Sequence, residues 1–288
     1  MQTFLPSDSF VESARALDTA RLGKQRVETL QILRALVLPT YGWQRHPAVS
    51  MWRGHLPALT AYGLATTDEW RARGFADAVH EQLLEFAPEV AGRDQQQLAV
   101  AGLMPPWLGD FAVHESHRSK LIAKDPEFYL PRFPGTPQGL EYVWPEGVGS
   151  PEAEQAHELW VLRLRSLEPW HGVGLVGLPN AGPRGAVTPA WRAQLRALED
   201  EPVVGSVIGV AADDDPAHVH LAEVTGPAAP ATLDGVDHTA VAAEFSGLAV
   251  ARRALPVPAE LQNPRRFFRI GLPVPVASLV GRAEDLTE

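Results

Sequence analysis

The stretch Leu17-Asp18-Thr19-Ala20-Arg21-Leu22-Gly23-Lys24-Gln25-Arg26-Val27-Glu28 decides how the first half of the chain is read. Asp18 can cap a helix whose apolar positions Leu22, Leu30, Leu33 and Val37 recur near the helical period until Pro39 stops it. At 3.6 residues per turn, Arg21, Lys24, Gln25 and Glu28 share one face. A single carboxylate thus stands at the edge of a cationic stripe. Beside cations it stays ionised, and it attracts a cationic intermediate rather than the phosphates around it. On spacing alone the ordinary reading of Lys24 and Glu28 is favoured: a solvated i,i+4 pair worth a few tenths of a kcal/mol.

Outward from this helix the pattern stays helical. Ser9 with Glu12 has the form of a capping box and predicts a short helix from Phe10 to about Leu17. Downstream, Trp43 to His46 read as a turn. A helical stretch follows over about Ala48 to Leu64, irregular near Gly54 and Pro57. Thr66 with Glu69 is a second capping box, expected to start an amphipathic helix carrying Trp70, Phe75, Val79, Leu83 and Phe86. Between Gly92 and Gly109 the reading is open, and a last short helix is expected over about Val113 to Ala123. Residues 131 to 155 are dense in Pro and Gly, which makes 134–156 the expected linker. Beyond it, β-like runs at Leu159 to Leu164, Val203 to Ala211, His218 to Val224, Leu248 to Arg252 and Phe267 to Leu272 surround a helix at about Thr188 to Leu198. The expected architecture is two domains: an all-α one over 1–133 and an α+β or mostly β one over 157–288.

Composition agrees with that layout. At 288 residues the chain is long for one domain when about 150 residues is typical. With 45% hydrophobic and 21% charged residues it is an ordinary globular composition. There is no Cys, so disulfides and thiolate metal sites are excluded. The first residues lack a basic region followed by a long apolar run, and no apolar stretch approaches the roughly 20 residues of a membrane helix. A cytoplasmic protein without a membrane partner is expected. The net charge of -10 argues against nonspecific coating of nucleic acid, yet residues 1–55 hold seven Lys/Arg against four acids, a balance of +3. One basic face on an acidic protein is compatible with DNA binding.

Three blocks carry a resemblance to a known family: Arg21-Leu22 through Glu28; His46-Pro47-Ala48-Val49-Ser50-Met51-Trp52 through Glu69-Trp70-Arg71-Ala72-Arg73-Gly74-Phe75; and Gly109-Asp110, His114-Glu115, Arg118 and Pro126-Glu127-Phe128-Tyr129. In order and spacing, residues 1 to about 133 resemble the pyrimidine-dimer DNA glycosylases of the phage ultraviolet-damage endonuclease type, which also cleave abasic sites. The resemblance implies duplex DNA with a damaged or modified base as partner, a helical fold, no cofactor and no metal. It places Glu28 on the family's catalytic carboxylate and the chain's own α-amine on its nucleophile. An α-amine has a reference pKa of about 7.7 to 8.0 against about 10.4 for Lys, which favours it as a nucleophile near neutrality. The family's phage member begins with Thr after Met removal; here the bulk of Gln2 predicts that Met1 stays, so the expected nucleophile is the amine of Met1. The position before Glu28, basic in that member, is Val27, and phosphate contacts are expected from Arg21, Lys24, Arg26, Arg53, Arg118, Lys120 and Lys124. Alternatives on the same scaffold are a noncatalytic DNA-binding protein and a glycosylase for a different modified base, with the second domain choosing it.

Three other motifs have plainer readings. His114-Glu115-Ser116-His117 has i,i+3 spacing where a zincin helix needs i,i+4, so no metal is expected there. Asp213-Asp214-Asp215 before His218 and His220 reads as an acidic turn entering a strand. Arg265-Arg266-Phe267-Phe268-Arg269 reads as a strand with Phe268 in the core and Arg269 in solvent.

Overall fold

A computed structural model describes residues 1–149, 157–255, 258–272, 275–280 and 284–285. The chain divides into two compact units, Met1–Pro151 and Glu152–Glu288.

The first unit is helical. Helix α1 (Phe10–Ala16) is capped by Ser9, whose hydroxyl accepts the Glu12 N–H, and α2 (Thr19–Val37) by Asp18, which accepts the Arg21 N–H. Then come α3 (Pro47–Ser50) and α4 (Leu56–Ala72), the latter packed on α2. Gly63 permits that approach: a Cβ there would lie 3.0 Å from the Thr29 methyl and 3.1 Å from Leu83. The helix expected to start at Thr66 does not start there, because α4 runs through it. The hydroxyls of Thr66 and Thr67 donate to the carbonyls of Gly63 and Leu64, so they do not compete for the helix's own N–H groups, and Glu69 pairs with Arg73 instead of capping. Gly74, at φ +88, follows the end of the helix.

After α5 (His80–Leu84) the stretch left open by the sequence contains α6 (Gln95–Val100), opened by a capping box of Asp94 and Gln97. Its Gln95 amide accepts from the Phe10 N–H and donates to the Asp8 carbonyl, tying this turn to the start of α1. Helix α7 (Phe111–Lys124) and α8 (Pro126–Tyr129) close the unit around a core that includes Phe4, Leu17, Leu22, Leu121 and Tyr129.

The stretch expected as a linker behaves differently over residues 140–147. The N–H groups of Leu140 and Val143 donate to the hydroxyls of Ser119 and Ser116 on α7, and a Cβ on Gly147 would lie 2.2 Å from the Ser50 carbonyl. Its backbone is satisfied by neighbouring side chains, so this part belongs to the first unit. Residues 150–156 lie outside the described residues.

The second unit is α+β. Its elements are β1 (His157–Leu164), α9 (Glu168–His171), β2 (Leu175–Pro179), α10 (Pro189–Asp200), β3 (Val207–Ala212), β4 (His218–Leu233), β5 (Val236–Ala251), β6 (Phe267–Leu272), α11 (Val276–Val280) and β7 (Glu284–Asp285). The sheet order is β2-β5-β4-β3-β1-β6, with β7 on β5, and among the described residues only β1 and β3 pair in parallel. Strand alternation feeds two cores: Leu162, Leu164 and Phe267 pack with Trp191 and Leu198 of α10, whereas Leu159, Val161, Phe268 and Ile270 pack with Val219 and Leu279. Two strands are far longer than the sequence implied. Pro227 and Pro230 argue against a strand, but a register shift between Val224 and Ala228 absorbs the break, and Asp234-Gly235, at φ +51 and +75, turns β4 into β5.

One residue expected at the DNA, Arg26, has its partners inside the fold. Arg26 is ion-paired with Asp77, whose side chain is fully buried, and its guanidinium lies 4.4 Å from the Trp70 ring centroid. Asp77 also caps α5 by accepting from the N–H groups of Val79 and His80. Removing one partner of a buried pair costs about 3–5 kcal/mol. Arg26→Ala is therefore expected to lower the calorimetric unfolding midpoint of the full chain by several degrees while leaving the salt dependence of DNA binding unchanged. An unchanged midpoint with a shallower salt slope would return Arg26 to the DNA.

Candidate active site

Residues 2 to 5 are buried, with Thr3 and Leu5 fully so, yet they form no strand and have no sheet partner among the described residues. Buried backbone polar groups need partners, and here side chains supply them. The Gln25 amide works in both directions: its oxygen accepts the Phe4 N–H at 2.8 Å and its nitrogen donates to the Gln2 carbonyl at 2.6 Å. Tyr62 donates to the Phe4 carbonyl at 2.7 Å. Leu5 is held at both ends, its N–H donating to His117 Nδ1 at 3.0 Å and its carbonyl meeting His114 Nδ1 at 2.8 Å. The side chain of Thr3 accepts from the Trp52 indole.

This clamp sets the position of the terminus. Gln25 and Glu28 are one helical turn apart on α2, so the residue that holds Gln2 also brings Met1 to Glu28. The Met1 nitrogen lies 3.3 Å from Glu28 Oε1, and Lys24 Nζ approaches the same oxygen at 3.6 Å. Glu28 is 7% exposed. The pair faces a cavity of about 690 Å³. Arg21, Lys24 and Lys124 supply its cationic lining, and Phe4, His46, Tyr142 and Trp144 its aromatic one. Burial, with help from the terminal ammonium and against Glu28, holds His46 below the usual imidazole range. Burial and the charge of Glu28 push the Tyr142 hydroxyl up to about 12.

Met1, Glu28, Arg21, Lys24 and Lys124 are thus brought together. Arg53, Arg118 and Lys120 are not among the residues lining the cavity: Arg53 donates to the Gln44 carbonyl, Arg118 lies over Phe111 and Lys120 pairs with Glu141. Arg21 is itself partly engaged, donating to the Lys124 carbonyl and pairing with Asp18. Sequence reasoning missed the clamp by Gln25, Tyr62, His114 and His117, and missed His46, Tyr142 and Trp144 in the wall. The available signals were a Gln amid the charged face and two aromatic residues, Tyr142 and Trp144, inside a supposed linker.

The i,i+3 histidines therefore serve the backbone of Leu5. In the second unit, His218 and His220 both bond Asp215, at 2.9 and 2.8 Å. Burial opposes ionisation of that carboxyl, but the two histidine bonds prevail and hold it below its usual range. Among the described residues no group of three side chains is placed to hold a metal. Phe268 is buried and Arg269 exposed, paired with Glu158. No helix of the described residues is long and apolar enough to cross a membrane.

This helical unit sets an α-amine against a buried carboxylate in a cation-lined cavity, a nucleophile type beside a group that can stabilise a cation or move a proton. Residues 1–81 match the model of the family described as pyrimidine dimer DNA glycosylase, the family that the sequence resembles. No curated protein and no solved structure matches the chain. The matched segment holds Met1, Gln25, Glu28 and His46, whereas α7 and residues 140–147, which complete the clamp and the wall, lie beyond it.

His117 gives the clamp a pH signature. Burial, and secondarily the neighbouring His114, lower its pKa to about 3, so it stays neutral in the folded chain. Below the unfolded value of about 6.5 the unfolded chain takes up a proton that the folded one refuses. Stability is expected to fall as pH drops from about 6.5 toward 3, by at most about 1.4 kcal/mol per pH unit from this group, and to be insensitive to it above 6.5. Thermal unfolding from pH 7 to 4 checks this: His117→Asn, whose carboxamide oxygen can still accept the Leu5 N–H, should flatten the decline. An equal decline in both proteins would refute the assignment.

Proposed function

We propose that the first unit is a DNA repair glycosylase with abasic-site lyase activity, working through an imine on the α-amine of Met1. The observation that carries this reading is the 3.3 Å approach of that amine to Glu28 inside the cavity. The family match over residues 1–81 supports a damaged-DNA substrate, a pyrimidine dimer or another modified base. Arg21, Lys24 and Lys124 hold the phosphates flanking the extruded nucleotide. Arg53, Arg118 and Lys120 extend the contact along the duplex.

In this reading the ammonium first gives up a proton, and the neutral amine attacks deoxyribose C1′. The C1′–N bond breaks, its electron pair leaves with the base, and the base is protonated. Ring opening transfers a proton to O4′ and leaves a C1′ iminium. Loss of a C2′ proton then expels the 3′ phosphate, cutting the strand, and water hydrolyses the unsaturated imine to free the amine. Glu28 stabilises the cationic sugar and iminium by charge and relays the protons. His46 lines the same space; its Nδ1 accepts the Ala48 N–H, so the neutral ring keeps its proton on Nε2 and is a hydrogen-bond donor there.

Borohydride is expected to trap the full chain on DNA bearing an abasic site, with the adduct on the N-terminal peptide. Acetylation of the terminus should abolish trapping. Mass spectrometry that placed the adduct on a lysine would overturn the Met1 assignment, and no adduct on abasic or dimer-containing DNA would favour a noncatalytic DNA-binding protein.

Glu28→Gln keeps size and hydrogen bonding but cannot stabilise a cation by charge or take a proton. It is expected to retain DNA affinity at fixed salt and to lose turnover by roughly 10² or more. Cleavage at the native rate would leave Glu28 as a mere partner of Lys24.

A further inference from the structure

Trp43 combines two properties that an ordinary surface residue does not. Its backbone sits at φ +71, a left-handed conformation that a bulky L residue adopts only under constraint, and its side chain is 65% exposed. So exposed a ring gains little from burial to offset the strain. The turn around it is braced: Gln44 Nε2 donates to the carbonyls of Leu38 and Pro39, Arg53 donates to the Gln44 carbonyl at 2.8 Å, and the His46 N–H closes on the Trp43 carbonyl at 2.8 Å. The indole lies 5.9 Å, edge to face, from the His46 ring, and His46 lies 6.4 Å from Trp144. His46 and Trp144 line the amine cavity. A row of rings therefore leads from the cavity to a tryptophan standing in solvent, flanked by exposed Arg45 and Arg53. Arg45 has no ion pair among the described residues.

We propose that Trp43 is a nucleobase-stacking wedge, which places its indole against the bases beside the nucleotide drawn into the amine cavity. The inference rests on the DNA reading above and adds a contact that reading does not require. Drawing a nucleotide out of a duplex breaks stacking on both sides of the gap, and a flat apolar ring restores part of it regardless of sequence. A preset turn presents the ring without a search over rotamers and backbone states, and the arginines on either side can meet the adjoining phosphates. Strain held at an exposed aromatic residue next to a reactive centre has a purpose in this arrangement.

The test uses the full chain and a duplex with a tetrahydrofuran abasic-site analogue beside a 2-aminopurine, alongside the intact duplex, at one fixed salt concentration. Wild type is expected to prefer the abasic-analogue duplex and to change the 2-aminopurine emission. Trp43→Phe should keep both effects. Trp43→Asn, which tolerates positive φ, should keep the unfolding midpoint, leave affinity for intact duplex little changed, and weaken binding to the abasic-analogue duplex roughly 5- to 150-fold, the range for loss of one base-aromatic stack. If Trp43→Asn binds that duplex like wild type with the same emission change, the wedge is overturned, while a borohydride adduct of wild type on natural abasic DNA keeps the underlying reading intact. If Trp43→Asn lowers the unfolding midpoint and weakens both duplexes equally, Trp43 serves the fold and the wedge is overturned as well. Wild type giving neither an adduct nor a preference for the abasic-analogue duplex overturns both proposals together.

Discussion

The first unit depends on how an extended, buried terminus is satisfied without a strand beside it. Residues 2 to 5 run through the core, and each backbone group left unpaired there would lose its hydration with no return. Five contacts from Gln25, Tyr62, His114 and His117 meet that demand, drawn from α2, α4 and α7. The same contacts therefore bind three helices to one segment. They also position the amine, because Gln25 and Glu28 share a helix face and cannot move independently.

The electrostatics follow from that placement. Glu28 is the acceptor for two cations, the terminal ammonium and Lys24, and its burial strengthens both attractions relative to a solvated pair. Neutral groups complete the surroundings: Tyr142 is held protonated by burial, and His117 is held neutral behind the Leu5 backbone. Charge is thus concentrated at the mouth, in Arg21, Lys24 and Lys124, and a single carboxylate is left within. Such a distribution suits the proposed function, in which a polyanion approaches and a cation forms inside.

One basic residue on α2 is engaged away from the cavity. Arg26 lies two positions from Lys24 in sequence but about 200° away around the helix, and there it meets Asp77 and Trp70. Its charge organises the α4 to α5 turn through Asp77, which caps α5. A count of basic residues along the sequence cannot separate the two uses, whereas helical geometry and the position of Asp77 separate them at once.

The sequence by itself determined the caps at Ser9 and Asp18, the full length of α2, and the shared face of Arg21, Lys24, Gln25 and Glu28, because these depend on neighbours within one or two turns. It also left the second half as α+β or mostly β and placed the start of β4 and the ends of β6, while hiding the length of β4, where Pro227 and Pro230 interrupt the pattern, and of β5, whose pairing only the partner strand supplies. The resemblance pointed to Met1 and Glu28. Only the tertiary structure decided how they meet, through Gln25 and the two histidines of α7, which bond residues more than a hundred positions away in sequence. It likewise decided that Tyr142 and Trp144 wall the cavity. The physical reason is common to all these cases: caps and helix faces follow from local spacing, whereas the partner of a buried polar group is whatever the fold brings within hydrogen-bonding distance, and no spacing rule encodes that.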